Sequence, residues 1–293
     1  MALAPADLDG RVALVTGGTS GVGRATARRL AELGATVFVT GRDPTRGEAV
    51  ATELAGDATF LRADFADFGA VRGVAEAVRD RTDRLDVLVN NAGTTHAERR
   101  LTADGYEQTF AVNHLAHFLL THRLADRLVE SVPARVVTVA SAVHTRGDLD
   151  LDAVTAEENP DYDALDAYAR SKLANVLFAY ELADRLGDTG VTSTAVHPGF
   201  VPGSRIWRHA SLRVRLAVRA ADLLPFVGIS AAEAGRRVAV LGASPDVADV
   251  TGQYFEGTDP AQPSPGALDS DLRARLWAWS AEAVDVAPDL PVA

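Results

Sequence analysis

The sequence predicts an α/β fold: a doubly wound parallel sheet with helices on both faces, three layers built from one domain. Three observations carry this. Short apolar runs alternate with stretches of helical apolar spacing along most of the chain. The first apolar run leads at once into a glycine-rich turn, a helical stretch and a second run. No linker breaks the alternation, because the turn-rich stretches 187–190 and 260–266 each lie between elements of the same pattern. A single domain over 1–293 follows.

Residues 11–16 (Arg-Val-Ala-Leu-Val-Thr) are short and apolar, as a buried parallel strand should be. Thr16-Gly17-Gly18-Thr19-Ser20-Gly21-Val22-Gly23 follows, then a helix over 24–33 closed by Gly34, then a strand over 35–40. In such a unit the free N–H groups at the helix N-terminus accept a pyrophosphate. Gly17, Thr19, Ser20, Gly21, Val22 and Gly23 are therefore the candidate phosphate-binding turn of a Rossmann-type sheet. The alternation continues with strand 58–62, helix 68–82, strand 86–89, helix 103–130, strand 134–140, helix 161–186 and strand 191–197.

The formal net charge of -11 argues against a general nucleic-acid-binding role. With no cysteine, disulfides, thiolate chemistry and Cys-based zinc sites are excluded. No signal peptide is visible and no apolar run approaches the length of a membrane span, so a cytoplasmic protein without a transmembrane anchor is expected. His96, His114, His117, His144 and His197 raise the question of a metal. The His114/His117 spacing would suit one, but no acidic ligand shares that face, so none is expected.

Lys172 is the only lysine in the chain, and it stands four residues after Tyr168 in the helix 161–186. Side chains at i and i+4 share a helix face, so the ammonium lies beside the phenol. A tyrosine ionises near pH ~10, and an adjacent cation favours the phenolate. The pair reads as a phenol tuned for proton transfer. Tyr162 has no such partner, because Asp166 occupies its i+4 position.

After the second strand the chain reads Thr40-Gly41-Arg42-Asp43. An acid at the strand end would bind both ribose hydroxyls of NAD, and here there is Thr40. Arg42 can pair with a 2′-phosphate that a carboxylate would repel, so NADP(H) is expected, with NAD(H) possible. Asp43, just before Pro44, reads as a helix N-cap.

The Gly-x-x-x-Gly-x-Gly spacing of Gly17, Gly21 and Gly23 is followed in order by Asn90-Asn91-Ala92-Gly93, Asn113, Ser141, Tyr168 with Lys172, and His197-Pro198-Gly199. This series, from Arg11 to about Glu256, resembles the short-chain dehydrogenase/reductase family. The run Tyr168-Ala-Arg-Ser-Lys172-Leu-Ala-Asn-Val-Leu-Phe is most similar to its retinol-dehydrogenase-like branch, which includes carbonyl reductases. The resemblance implies a tetrad: Tyr168 as acid/base, Ser141 as oxyanion donor, Lys172 lowering the tyrosine pKa and holding the nicotinamide ribose, and Asn113 holding a relay water. It also implies that Asp64 with Ala63 lies against the adenine, Asn91, Ala92 and Gly93 along the adenosine, and Pro198 and Gly199 by the nicotinamide. For Asp64 a plain strand-end cap is the alternative. A homodimer through the helix 161–186 is a further implication.

The expected activity is hydride transfer between the nicotinamide and a hydrophobic alcohol, ketone or aldehyde. A catalytically silent NADP(H)-sensing protein and a cofactor-assisted isomerase or dehydratase are the alternatives. A variable substrate lid is expected at about 203–228. Arg205, Arg208, Arg213, Arg215 and Arg219 occur there with no acid before Asp222, interleaved with apolar residues. That pattern suits a solvated lid helix, a peripheral membrane contact, or a cover for an anionic substrate. Where many family members carry a threonine after the Pro-Gly turn, this chain has Ser204, one position displaced. The acidic stretch 147–163 reads as a loop at the pocket rim.

Overall fold

A computed structural model of the protein describes residues 6–204, 206 and 227–292. Eight strands form one sheet: β1 (Val12–Val15), β2 (Thr36–Gly41), β3 (Ala58–Arg62), β4 (Val87–Asn90), β5 (Ala134–Val139), β6 (Val191–His197), β7 (Gln253–Glu256) and β8 (Asp259–Ala261). Their order is β3-β2-β1-β4-β5-β6-β7-β8, parallel throughout except for the antiparallel β7–β8 pair. The strand order reverses between β1 and β4, which opens a crevice at the carboxyl ends of the strands.

β1 shows why the strands are apolar on both faces. Val12 and Leu14 point into one core, Ala13 and Val15 into the other. The first core lies under α3 (Phe68–Arg79), α4 (Ala116–Glu130) and α6 (Ala164–Leu186). The second lies under α1 (Gly21–Glu32), α2 (Pro44–Glu53) and α7 (Ala231–Ala243). Further helices among the described residues are the short α5 (Asp152–Thr155), inside the acidic loop, and α8 (Ser270–Ala283). At the α1–α7 crossing a Cβ on Gly235 would lie 2.4 Å from the Cβ of Ala25, so glycine sets how close the two helices come.

Two predicted helices begin later than their apolar spacing suggests. The stretch expected from 103 becomes helical only at Gln108, because Gly105 sits at φ 85° in a turn closed by Thr102 N–H donating to Tyr106. The buried Glu107 carboxylate then accepts the amides of Thr109 and Phe110 as an N-cap. Next comes a π turn over Ala111–Leu115, in which Ala116 N–H reaches the carbonyl of Ala111. The helix expected from 161 starts at Ala164, where Asp163 accepts the amides of Leu165 and Asp166.

The alternation read from the sequence ends at residue 197, and the structure adds α7, β7, β8 and α8. In α8 the inward residues Leu276, Trp277, Ser280 and Ala281 are interspersed with arginines and acids, which blurs the apolar stripe. α8 lies along α6 and touches α4. The Trp277 ring stacks on Phe178 at 5.9 Å between centroids and meets Phe118 edge-on at 4.7 Å. Trp277 Nε1 donates to Pro288 O at 2.6 Å, and His114 Nε2 lies 2.9 Å from Ser280 Oγ. This part of α6, on which the resemblance places a dimer interface, is thus covered by the chain's own C-terminal helix. No helix among the described residues is long and apolar enough to cross a membrane.

Candidate active site

A cavity of about 490 Å³ opens along the carboxyl ends of the strands. One end is built by the glycine turn. Gly17 and Gly21 adopt φ 64° and 54°, where a side chain would be strained. A Cβ on Gly23 would sit 2.3 Å from Asn91 Nδ2 and 2.5 Å from the Gly17 carbonyl oxygen. At the start of α1 no side chain caps the free N–H groups and no acid stands in the first turn. Open helix-terminal donors beside a backbone that only glycine permits suit a pyrophosphate.

Thr16 and Asn91 fix this turn from below. Thr16 Oγ1 accepts the amides of Asn91 at 2.8 Å and Ala92 at 2.9 Å, while Asn91 Nδ2 donates to Thr16 O at 2.7 Å. Thr40 Oγ1 accepts the amide of Gly17 at 3.1 Å, which gives the buried threonine at the end of β2 a structural task. These threonines escape a motif search because a hydroxyl that organises backbone looks, in sequence, like any strand-end threonine.

Arg42 and Asp64 face one another across the mouth of this end, with 3.7 Å between Nη1 and Oδ2 and both about half exposed. Asp64 Oδ1 accepts the amide of Ala66, so the strand-end cap weighed from the sequence is present in a residue that also lines the cavity. Asp43 accepts the Arg46 amide at 3.1 Å as the N-cap of α2, as its place before Pro44 suggests. Arg46 also lines the mouth, a second guanidinium that the sequence reading did not single out.

Ser141, Tyr168 and Lys172 line the other end, with His197, Pro198, Gly199, Phe200, Val201 and Ser204. Ser141 lies two residues past the end of β5, and Tyr168 and Lys172 lie one turn apart on α6. The Ser141 hydroxyl stands by the Tyr168 phenol and acts to lower its pKa. His144 braces the turn after Ser141: Nε2 accepts from the Ser264 amide at 3.0 Å, which leaves the proton on Nδ1 to donate to Ser141 O at 2.8 Å.

The electrostatics differ from the expectation of a phenol depressed by its lysine. Burial pushes the Tyr168 phenol up to about 12, and the Ser141 hydroxyl only partly offsets this. Burial pushes the Lys172 ammonium down to about 7. Lys172 Nζ donates to the carbonyl of Val139 at 2.8 Å and stands 5.7 Å from the Tyr168 ring centre. In this enclosed state the group poised near neutrality is the lysine.

Asn113 is fully buried and does not line the cavity. Its amide is spent within the protein: Oδ1 accepts from Thr94 N at 2.8 Å, and Nδ2 donates to Thr94 O at 3.1 Å and Ser171 Oγ at 2.9 Å. The side chain therefore holds α6 and the Thr94 loop together, and the relay water that the resemblance implies would have to share the backbone carbonyl with His117 Nδ1, 2.9 Å away. Thr94, His96, Gln108 and Val112 also line the cavity, from the loop and turns before α4. Their positions depend on the register of that irregular stretch, which no periodicity reveals.

Of the expected lid, only residues 203, 204, 206, 227 and 228 are described; Ser204 Oγ accepts the amide of Ile206 at 3.4 Å, and Ser204 lines the cavity. Arg205, Arg208, Arg213, Arg215 and Arg219 lie outside the described residues. The two histidines once weighed as a metal pair point apart, His114 to Ser280 and His117 to Thr16 Oγ1 at 2.9 Å. Among the described residues no three His, Asp or Glu side chains converge as a metal cluster.

Comparison with known proteins agrees with this architecture. The family model for short chain dehydrogenases matches residues 11–211. Human retinol dehydrogenase 12 is 38% identical over 284 residues, spanning 95% of this chain and 88% of that protein. A crystal structure of an uncharacterized protein from Mycobacterium Paratuberculosis shares 33% identity with a TM-score of 0.79, covering 99% of this chain and 98% of the other. A short chain dehydrogenase from Burkholderia cenocepacia, solved in complex with NADP, shares 29% identity with a TM-score of 0.68, covering 89% and 99%. With the glycine turn, the Ser141–Tyr168 pair and Lys172 on one crevice, and these likenesses along nearly its whole length, this chain belongs to the short-chain dehydrogenase family of oxidoreductases.

Proposed function

We propose that the protein is an NADP(H)-dependent alcohol dehydrogenase or carbonyl reductase acting on a hydrophobic alcohol, ketone or aldehyde. The observation that carries this reading is that Ser141, Tyr168 and Lys172 line the same cavity as a glycine turn suited to a pyrophosphate. A nicotinamide cofactor held along Gly17–Gly23 and Asn91–Gly93, with Pro198 and Gly199 at its reactive end, supplies or accepts the hydride. The protein supplies the proton and the orientation. Ser141 donates to the substrate oxygen as charge builds there, and Tyr168 gives that oxygen its proton in reduction and takes it back in oxidation. Lys172 Nζ stands 5.7 Å from the Tyr168 ring centre, and its pKa near 7 suits it to exchanging protons with this pair.

Arg42 and Arg46 at the mouth, with Asp43 spent on its own helix, support preference for the phosphorylated cofactor. Asp64 opposes it weakly, since the Arg42–Asp64 pair is long and solvent-screened. The substrate end is walled by Val112, Phe200, Val201 and Ile206, which favours an apolar body, and the retinol dehydrogenase likeness brings retinoids into question. A homodimer built through α6 has to use a part of that helix that α8 leaves open.

The test is to follow nicotinamide absorbance with NADPH and NADH against hydrophobic aldehydes and ketones, retinal among them, and with NADP+ and NAD+ against the matching alcohols. Turnover preferring the phosphorylated cofactor supports the reading. Tight NADPH binding without turnover on any substrate, together with cofactor-dependent capture of a protein partner, supports the sensing alternative instead.

A further inference from the structure

The ring of His117 joins the two halves of the site, although it does not itself line the cavity. It is almost fully buried on the first turn of α4. Its Nε2 lies 2.9 Å from Thr16 Oγ1 at the base of the glycine turn, and its Nδ1 lies 2.9 Å from the backbone carbonyl oxygen of Asn113 in the π turn. Phe65, which lines the cavity, packs against the ring at 5.5 Å between centroids.

The hydrogen bonds fix the protonation of this ring. A threonine hydroxyl has one proton and two acceptor positions. Thr16 Oγ1 already accepts two backbone amides, from Asn91 and Ala92. Its one proton is within reach of both Val89 O at 3.2 Å and His117 Nε2 at 2.9 Å. The Asn113 carbonyl oxygen can only accept, so the ring proton sits on Nδ1, directed at Asn113 O, and Nε2 is left as an acceptor facing Thr16. Burial, which holds His117 down to about 3, agrees with a neutral ring. The charged or titratable neighbours are Lys172 on α6 and His114 in the π turn.

We infer that His117, as a fixed Nδ1–H imidazole, is a positioning residue that couples the cofactor-binding turn to the Asn113 carbonyl, where the resemblance places a relay water for the Tyr168–Lys172 pair. One face orients Thr16, and through it the amides of Asn91 and Ala92 that shape the pyrophosphate and adenosine side. The other face orients the one polar group of Asn113 that the side-chain contacts leave available. The functional half of this inference rests on the reductase reading. The tautomer and its link to the turn do not.

Two substitutions separate the faces. An asparagine amide occupies the place of Nδ1, and a glutamine amide reaches the place of Nε2. His117→Asn retains the donor to Asn113 O and loses Thr16, so NADPH affinity falls about tenfold while kcat stays near wild type. His117→Gln retains Thr16 and loses the donor, so kcat falls about tenfold while affinity stays near wild type. A fall in both parameters together in each variant, or in neither, overturns the coupling. Imidazole nitrogen NMR shifts of His117 in the wild-type protein decide the tautomer even if a variant does not fold: the Nδ1–H form is expected, and an Nε2–H or doubly protonated ring overturns the inference. If wild type turns over no substrate, the reductase reading fails by itself, while the tautomer and the NADPH affinities still test the link to the turn.

Discussion

Lys172 Nζ donates to the carbonyl oxygen of Val139 at 2.8 Å, the same oxygen that Asn175 Nδ2 reaches at 3.1 Å. Two helix donors on one strand carbonyl tie α6 to the end of β5, and so tie Tyr168 to Ser141. The lysine bears the cost of this position. Its ammonium is removed from water and given no carboxylate, which is why its pKa falls toward neutrality.

Replacing the lysine should therefore stabilise the fold while removing activity. A base whose folded pKa is about 7 and whose unfolded value is 10.5 binds fewer protons when folded across that interval. The destabilisation is full below pH ~7 and is relieved as pH rises toward the unfolded value. Lys172→Met should gain about 1–3 kcal/mol over wild type at pH ~6 and less at pH ~9, with turnover lost at both. Urea denaturation at the two pH values measures this; an equal gain at both would show that the ammonium is not the source.

Trp277→Ala should cost about 3–5 kcal/mol, because it empties the contact of α8 with Phe118 and Phe178 and removes the donor to Pro288 O. Chemical denaturation measures the loss. A change of only a few tenths would mean that α8 is an appendage rather than part of the core.

The sequence disclosed the fold most clearly where a single face explained the pattern. β1 and β4 were legible as short apolar runs buried on both sides, and the part-exposed edge strand β3 and the hydroxyl-bearing β6 because they keep the spacing of the alternation. The glycine turn, Ser141, Tyr168 and Lys172 were legible because their order is unusual and their chemistry is specific. His117 and Thr16 were not. A buried histidine on an apolar helix reads as core, and only the meeting of two loops around one hydroxyl shows its use. The start of the helix before Asn113 was hidden for another reason: Gly105 and the capping Glu107 interrupt a stretch whose apolar spacing looks continuous. The pKa relation within the Tyr168–Lys172 pair was also beyond the sequence, because helix spacing gives proximity but not burial.

Gly23→Ala should abolish NADPH binding and lower stability. The added methyl would lie 2.3 Å from Asn91 Nδ2, held by its bond to Thr16 O, and 2.5 Å from the backbone oxygen of Gly17. Isothermal titration with NADPH and thermal melting measure both effects. Retained affinity would show that the turn yields easily and is not the pyrophosphate site.

Arg42→Ala should weaken NADPH about tenfold or more and leave NADH nearly unchanged, as expected when a charge-assisted contact to a 2′-phosphate is lost. Equal loss for both cofactors would assign Arg42 to the architecture of the mouth and return cofactor choice to Asp64. Arg46→Ala measured beside it shows whether the second guanidinium shares the task.

The most direct test of the account is the Tyr168→Phe protein, compared with wild type for NADPH affinity and for turnover of whichever carbonyl substrate the panel identifies. The phenyl ring keeps the packing of α6 and removes only the phenol hydroxyl beside Ser141. The account predicts NADPH affinity close to wild type and turnover lower by a factor of about 10²–10⁴. Undiminished turnover in that protein would contradict it, because another group would then be delivering the proton.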